Sequence, residues 1–239
     1  MSGTTSRFLM RNEHPLTDRA YRAFFTAALI NLMAEAMHSP LGVYMSKPLL
    51  MPTLALAFYL SAKPLGRYGQ RILWGLGFSW GGDLLLMLVP TIGEGFFVFG
   101  VASFLIAHLC YISAFLGQAK SGTAYLKKNP WLVLPFLVYL TGLSVWWWDD
   151  LGALRVPVLV YSAIITTMGL SALHLRGVVA PKAWTWLIGG ALLFVASDSL
   201  LAINKFKWPL PMAGIWIMAT YIAAQYAIAK ASIDIGRPA

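Results

Sequence analysis

The stretch Gly75-Leu-Gly-Phe-Ser-Trp-Gly-Gly-Asp83-Leu-Leu-Leu86 sets one carboxylate inside an otherwise apolar run. A second stretch repeats the device as Gly190-Ala-Leu-Leu-Phe-Val-Ala-Ser-Asp198-Ser-Leu-Leu201. In each, a glycine stands eight residues before the aspartate, a small residue directly precedes it, and leucines follow at the second and third positions. An aspartate at the centre of a membrane helix costs about 2.5–3.5 kcal/mol, so two in matching contexts point to a site. The plainer reading is a structural ion pair with Lys47 or Lys205, or a hydrogen bond that glues helices together.

The surroundings of these stretches decide the fold class. The chain is 59% hydrophobic and 11% charged, with a mean hydropathy of +0.68, whereas about a quarter of the residues of an ordinary soluble domain are charged. The expectation is an all-α protein, a polytopic membrane helical bundle. Eight apolar spans are read at 20–37, 47–62, 72–89, 96–117, 131–148, 157–176, 183–203 and 209–229, most near the roughly 20 residues that cross a bilayer. The second span carries Pro48 and Pro52 and is expected to kink or re-enter. No cleavable signal peptide is read, so the first span is expected to stay. The domain reading is a basic cytoplasmic segment 1–22, one transmembrane domain 23–230 and a short cytoplasmic tail 231–239. The lone Cys110 cannot form an intrachain disulfide and reads as a small buried residue.

Charge sets the expected orientation. With the N-terminus inside, inner segments hold fourteen of the 18 basic residues, from Arg7, Arg11, Arg19 and Arg22 through Lys120 to Arg237. Lys47, Arg155, Lys205 and Lys207 fall outside. That asymmetry predicts cytoplasmic termini, and it accounts for the net charge of +9 without a nucleic-acid partner. The tryptophans Trp146-Trp147-Trp148, Trp184 and Trp186 read as interfacial anchors. Asp83 and Asp198 fall in the third and seventh spans, which suggests two parallel four-helix halves.

Both aspartates are expected roughly 7–9 Å below the outer edge, from a rise of 1.5 Å per residue. Other polar groups gather towards that level: Asn31, Glu35 and His38 on span one, Lys47 on span two, Asn204 and Lys205 closing span seven. Span four presents His108 and Tyr111, span six Tyr161 and Met168, and span eight Tyr221 and Gln225. Taken singly, His108 reads as a satisfied interior histidine, Tyr161, Tyr221 and Gln225 as packing, and Lys47 and Lys205 as snorkelling cations. Together they describe a polar pocket within a bundle. No Gly-x-Ser-x-Gly or His-Glu-x-x-His motif occurs; a metal site built from His108 and the two aspartates carries only a weak signal, and no cofactor is expected. Two carboxylates in a low-dielectric pocket, one neutral and one kept ionised by a cation, supply one acid and one base.

The set Lys47-Pro48, Phe78-Ser79-x-x-Gly82-Asp83, His108-x-x-Tyr111, Tyr161, Phe194-x-x-Ser197-Asp198 and Ala224-Gln225 resembles the YhhN-like family of integral membrane proteins, whose characterised members are lysoplasmalogenases. The resemblance runs from about residue 25 to residue 229. It implies hydrolysis of the vinyl ether bond of a lysoplasmalogen, giving a fatty aldehyde and glycerophosphocholine or glycerophosphoethanolamine, by a protein of the bacterial inner membrane. On this reading Asp83 and Asp198 are catalytic, with Asp83 as acid and Asp198 ionised by Lys205. Lys47, His108, Tyr111, Tyr161, Ser197, Lys205, Tyr221 and Gln225 bind a lysophospholipid substrate, and no cofactor is needed. The alternatives are a proton-coupled transporter of a small molecule or lipid, and another membrane lipid hydrolase.

Overall fold

The computed structural model describes residues 15–119 and 125–236. Arg7, Arg11, Lys120 and Arg237 of the charge pattern lie outside them, as do positions 1–14 and 237–239 of the expected terminal segments. The described residues are helical, without strands. Eight helices carry the fold: α1 Pro15–Ala36, α2 Pro40–Ser61, α3 Arg67–Met87, α4 Gly95–Leu116, α5 Leu134–Trp146, α6 Arg155–His174, α7 Pro181–Phe206 and α8 Ala213–Ile235.

The bundle has an apolar core and also an apolar exterior, with a few polar groups buried inside. Large apolar side chains such as Leu29, Leu56, Trp74, Phe99, Val138, Leu192 and Trp216 are exposed, while Asn31, Ser46, Ser79, Asp83, His108 and Gln225 are buried. That is the arrangement a lipid solvent favours, because interior polar groups can bond one another where lipid offers no partner. Five segments are long and apolar enough to cross a membrane: Pro40–Ser61, Arg67–Ile92, Gly95–Leu116, Gly152–His174 and Pro181–Phe206. Pro130–Trp146 is apolar but shorter. Helix α1 is diluted by Asp18, Arg19, Arg22 and Glu35. Helix α8 contains Gln225, Lys230 and Asp234, but much of its surface is buried by its neighbours, so its composition answers to protein more than to lipid.

Successive helices alternate in direction. Tyr44 near the start of α2 donates to the carbonyl of Met87 at the end of α3 at 2.9 Å. Arg71 near the start of α3 donates to the Ser113 carbonyl near the end of α4 at 2.6 Å. The α1–α2, α3–α4, α5–α6 and α7–α8 connections therefore share one end, here the site end. Helix α2 is continuous through Pro48 and Pro52, so of the two expected alternatives, a kink or a partial re-entry, it does not re-enter. Pro52 has no N–H to bond the Pro48 carbonyl, and the Trp80 indole N–H takes that carbonyl instead at 2.9 Å.

The two closest pairs are α3 on α4 and α7 on α8, and glycines make both. A methyl group added at Gly82 would come within 2.5 Å of the Phe104 ring, and one at Gly75 would run into Tyr111. At Gly190 it would lie 2.9 Å from the Ile228 backbone nitrogen and 3.0 Å from the Ala224 carbonyl oxygen. The glycine eight residues before each aspartate thus does one job twice. It lets the following helix pack down onto the helix that carries the carboxylate.

Candidate active site

Asp83 is buried on α3 and held from two sides. The Tyr221 hydroxyl of α8 donates to its Oδ2 at 2.7 Å, and the Lys47 ammonium of α2 lies 3.6 Å from its Oδ1. One turn beyond Tyr221, the Gln225 side-chain oxygen accepts from the Tyr111 hydroxyl at 2.7 Å. This network ties α2, α3, α4 and α8 together.

Asp198 on α7 has a different setting. The Tyr161 hydroxyl of α6 donates to its Oδ2 at 2.5 Å, and His108 Nε2 of α4 faces the same oxygen at 3.7 Å. The other ring nitrogen, Nδ1, stands 2.6 Å from the Phe104 carbonyl. A carbonyl oxygen only accepts, so Nδ1 carries the hydrogen and Nε2 presents its lone pair to Asp198 unless a further proton joins it. At 3.7 Å Asp198 and His108 do not hydrogen-bond, and Nε2 has no hydrogen-bond partner among the described residues.

Asp198 also opens onto a cavity, which Asp83 does not line. Tyr139 and Ser199 flank Asp198 in its wall and bond each other at 2.5 Å. Trp147 closes another side: its ring is buried, and its indole N–H has no partner among the described residues. Phe97, Val101 and Phe206 make the remainder apolar. The two carboxylates meet through aromatic rings. Phe194 packs on His108 at 4.6 Å and on Tyr221 at 5.6 Å between centroids, and Phe104, a cavity wall, packs on Tyr221 at 5.8 Å.

The expected residues therefore divide. Tyr161 and Asp198 line the cavity, and His108 stands directly behind Asp198. Lys47 and Tyr221 serve Asp83. Tyr111 and Gln225 bond each other in the interior, away from the cavity. Ser197 donates to the Ile217 carbonyl of α8 at 3.0 Å and fastens two helices. Lys205 corrects an expectation: its ammonium is drawn to Glu94 at 2.5 Å, not to Asp198. The cation that stands beside one of the two site aspartates is Lys47, at Asp83. Trp147 corrects another, since only Trp146 and Trp148 of the triplet are exposed as interfacial anchors would be. Tyr139, Ser199 and Trp147 went unread as cavity residues. Ser199, adjacent to Asp198, carried a usable signal, whereas Tyr139 carried none. Among the described residues no group of three His, Cys, Asp or Glu side chains is placed to hold a metal ion.

A family model described as the YhhN family matches residues 42–232. A protein of Mycobacterium tuberculosis named lysoplasmalogenase is 35% identical over 213 residues, covering 87% of this chain and 78% of its own. Lysoplasmalogenase TMEM86A of Bos taurus is 36% identical over 198 residues, covering 79% and 78%. Lysoplasmalogenase TMEM86B of Homo sapiens is 34% identical over 188 residues, covering 77% and 73%. No solved structure matches.

Proposed function

Since the chain belongs to the YhhN family, we infer that it is a lysoplasmalogenase, a membrane-embedded hydrolase that cleaves the vinyl ether bond of a single-chain phospholipid. The observation that carries the chemistry is the Asp198 carboxyl facing a cavity between a phenol and an imidazole lone pair. Cleavage begins with proton transfer to the alkene carbon β to the ether oxygen. Asp198 supplies that proton and Tyr161 holds its carboxyl in place. The carboxylate left behind stands beside the new oxocarbenium ion, stabilises it and takes a proton from the attacking water. The hemiacetal then collapses to aldehyde and glycerophospho-alcohol. In that collapse the reprotonated Asp198 gives its proton to the departing glycerol oxygen while the His108 Nε2 lone pair, 3.7 Å from Asp198 Oδ2, takes the proton of the hemiacetal hydroxyl.

Asp83 acts at one remove. Its charge cancels that of Lys47, so the developing cation meets no uncompensated ammonium in the low-dielectric interior. The Trp147 indole N–H is free to bond an oxygen of the glycerol portion, and Tyr139 and Ser199 offer further polar contacts there.

All eight helices are assigned to the bilayer, with the site end outward and the termini in the cytoplasm, in a bacterial inner membrane. Charge supports this orientation: ten of the fourteen described basic residues sit at the end opposite the site, among them Lys63, Arg67, Arg71, Lys127, Lys128 and Arg176.

The test is aldehyde release from purified protein and a lysoplasmalogen in heavy water. Protonation at carbon predicts an aldehyde with one deuterium on the carbon next to the carbonyl. Intact lipid would favour a carrier, and fatty acid from a lysophospholipid ester would favour a different hydrolase.

A further inference from the structure

We propose that an apolar groove between α4 and α6 seats the hydrocarbon chain of the substrate and admits it sideways from the bilayer, an inference that rests on the lipid-hydrolase reading above. The groove is lined by Val98, Ala102 and Leu105 of α4 and by Val156, Val158 and Val160 of α6. It shares Phe97, Val101, Val158, Tyr161 and Phe206 with the cavity of Asp198, so the two spaces lie side by side across these residues.

Three observations assign the occupant. The bond to be cut joins chain to headgroup, so the reacting carboxyl has to stand where an apolar slot meets a polar one. Tyr161 stands at that junction, with its ring in both walls and its hydroxyl on Asp198. The flank of the groove is open to lipid, because Val98 is 47%, Val156 68% and Val160 47% exposed. Deeper in the bundle the helices close, with the His108 ring packed edge-on against Tyr161 at 5.5 Å between centroids. That contact sets a floor. From Val98 to Leu105 the α4 wall spans about 10 Å at 1.5 Å per residue, enough to strip water from a run of methylenes. A chain lying there would meet Asp198 with its first carbons and keep its tail against the bilayer.

The experiment uses saturated 1-alkyl glycerophosphocholines of graded chain length, which keep the ether but have no alkene to protonate, as ligands of the full-length protein in detergent. Wild type is compared with Ala102→Trp, a change at an exposed position that fills the groove, and with Val98→Trp as a second filler in case the first fails to fold. Comparing variant with wild type at each length cancels partition of the lipid into micelles. Referred to free monomeric ligand in water, wild-type affinity is expected to rise about fourfold per added methylene while the added carbons enter the groove. The fillers should flatten that rise, leaving affinity for the shortest ligand within about twofold. An equal chain-length slope in wild type and in the folded fillers would overturn the proposal. Aldehyde release from lysoplasmalogens of matched length is measured alongside. Groove-dependent binding without aldehyde would sink the activity and keep the chain seat. Aldehyde release with equal slopes would do the reverse.

Discussion

At the residue scale, the two aspartates are not interchangeable. Asp83 has an ammonium and a phenol as neighbours and no access to the cavity. Asp198 has a phenol, an imidazole and the cavity itself. Pairing each aspartate with its cation needed tertiary contacts that spacing along one helix does not encode: Lys205, seven residues after Asp198 on α7, turns to Glu94 across the α3–α4 connection. Trp147 offers a direct test of the cavity. Trp147→Phe keeps most of the ring and removes only the N–H, so the fold should hold. One neutral hydrogen bond is worth about 1 kcal/mol, so KM for lysoplasmalogen should rise about fivefold with kcat little changed. Unchanged KM would leave Trp147 a packing residue.

At the scale of elements, the apolar spans and both aspartate helices were legible because each is a long hydrophobic run with a marked interruption. Whether α2 kinks or re-enters was not, because two prolines fit either until Trp80 of the neighbouring helix is seen to take the carbonyl that Pro52 leaves free. The repeated glycines were legible as small-residue packing, and the structure adds which helix they receive. Gly189 and Gly190 form a controlled pair on α7. A methyl group at Gly189 meets nothing within 4 Å, whereas at Gly190 it meets the backbone of α8, which has no flexible side chain to move aside. Gly190→Ala should therefore cost about 1–3 kcal/mol and lower Tm in detergent, while Gly189→Ala should hold or slightly raise it. Equal Tm changes would contradict the close α7–α8 contact.

At the scale of the molecule, the duplication suggested by the two aspartate stretches has a concrete form. Each carboxylate lies on the third helix of its half. It takes one partner from the second helix of the same half, Lys47 for Asp83 and Tyr161 for Asp198. It takes another from the fourth helix of the other half, Tyr221 for Asp83 and His108 for Asp198. Each last helix packs on the third helix of its own half and sends one side chain to the carboxylate of the other, so neither site is complete within one half. Sequence spacing placed the aspartates at corresponding depths but could not show this crossing, since the crossing residues differ in type. The charge pattern makes a separate prediction about topology. In a Cys110→Ala background, a cysteine replacing Asp149, which is nearly fully exposed at the site end, should react with an impermeant thiol reagent from outside intact cells. A cysteine replacing Lys128 should react only after the membrane is opened. The reverse pattern would invert the bundle.

The division of labour between Asp198 and Asp83 is tested most directly by aldehyde release from wild type, Asp198→Asn, Asp83→Asn and the double variant Lys47→Met/Asp83→Asn, each checked for folding by Tm. Wild type should release aldehyde, and Asp198→Asn should lose at least about a hundredfold for want of the acid. Asp83→Asn should lose a similar factor by leaving the Lys47 ammonium unpaired in the interior. Removing that ammonium in the double variant should recover about tenfold or more of what Asp83→Asn lost. A folded Asp198→Asn variant with activity near wild type would contradict the assignment of the proton donor. A double variant no better than Asp83→Asn would contradict the charge-balancing role of Asp83.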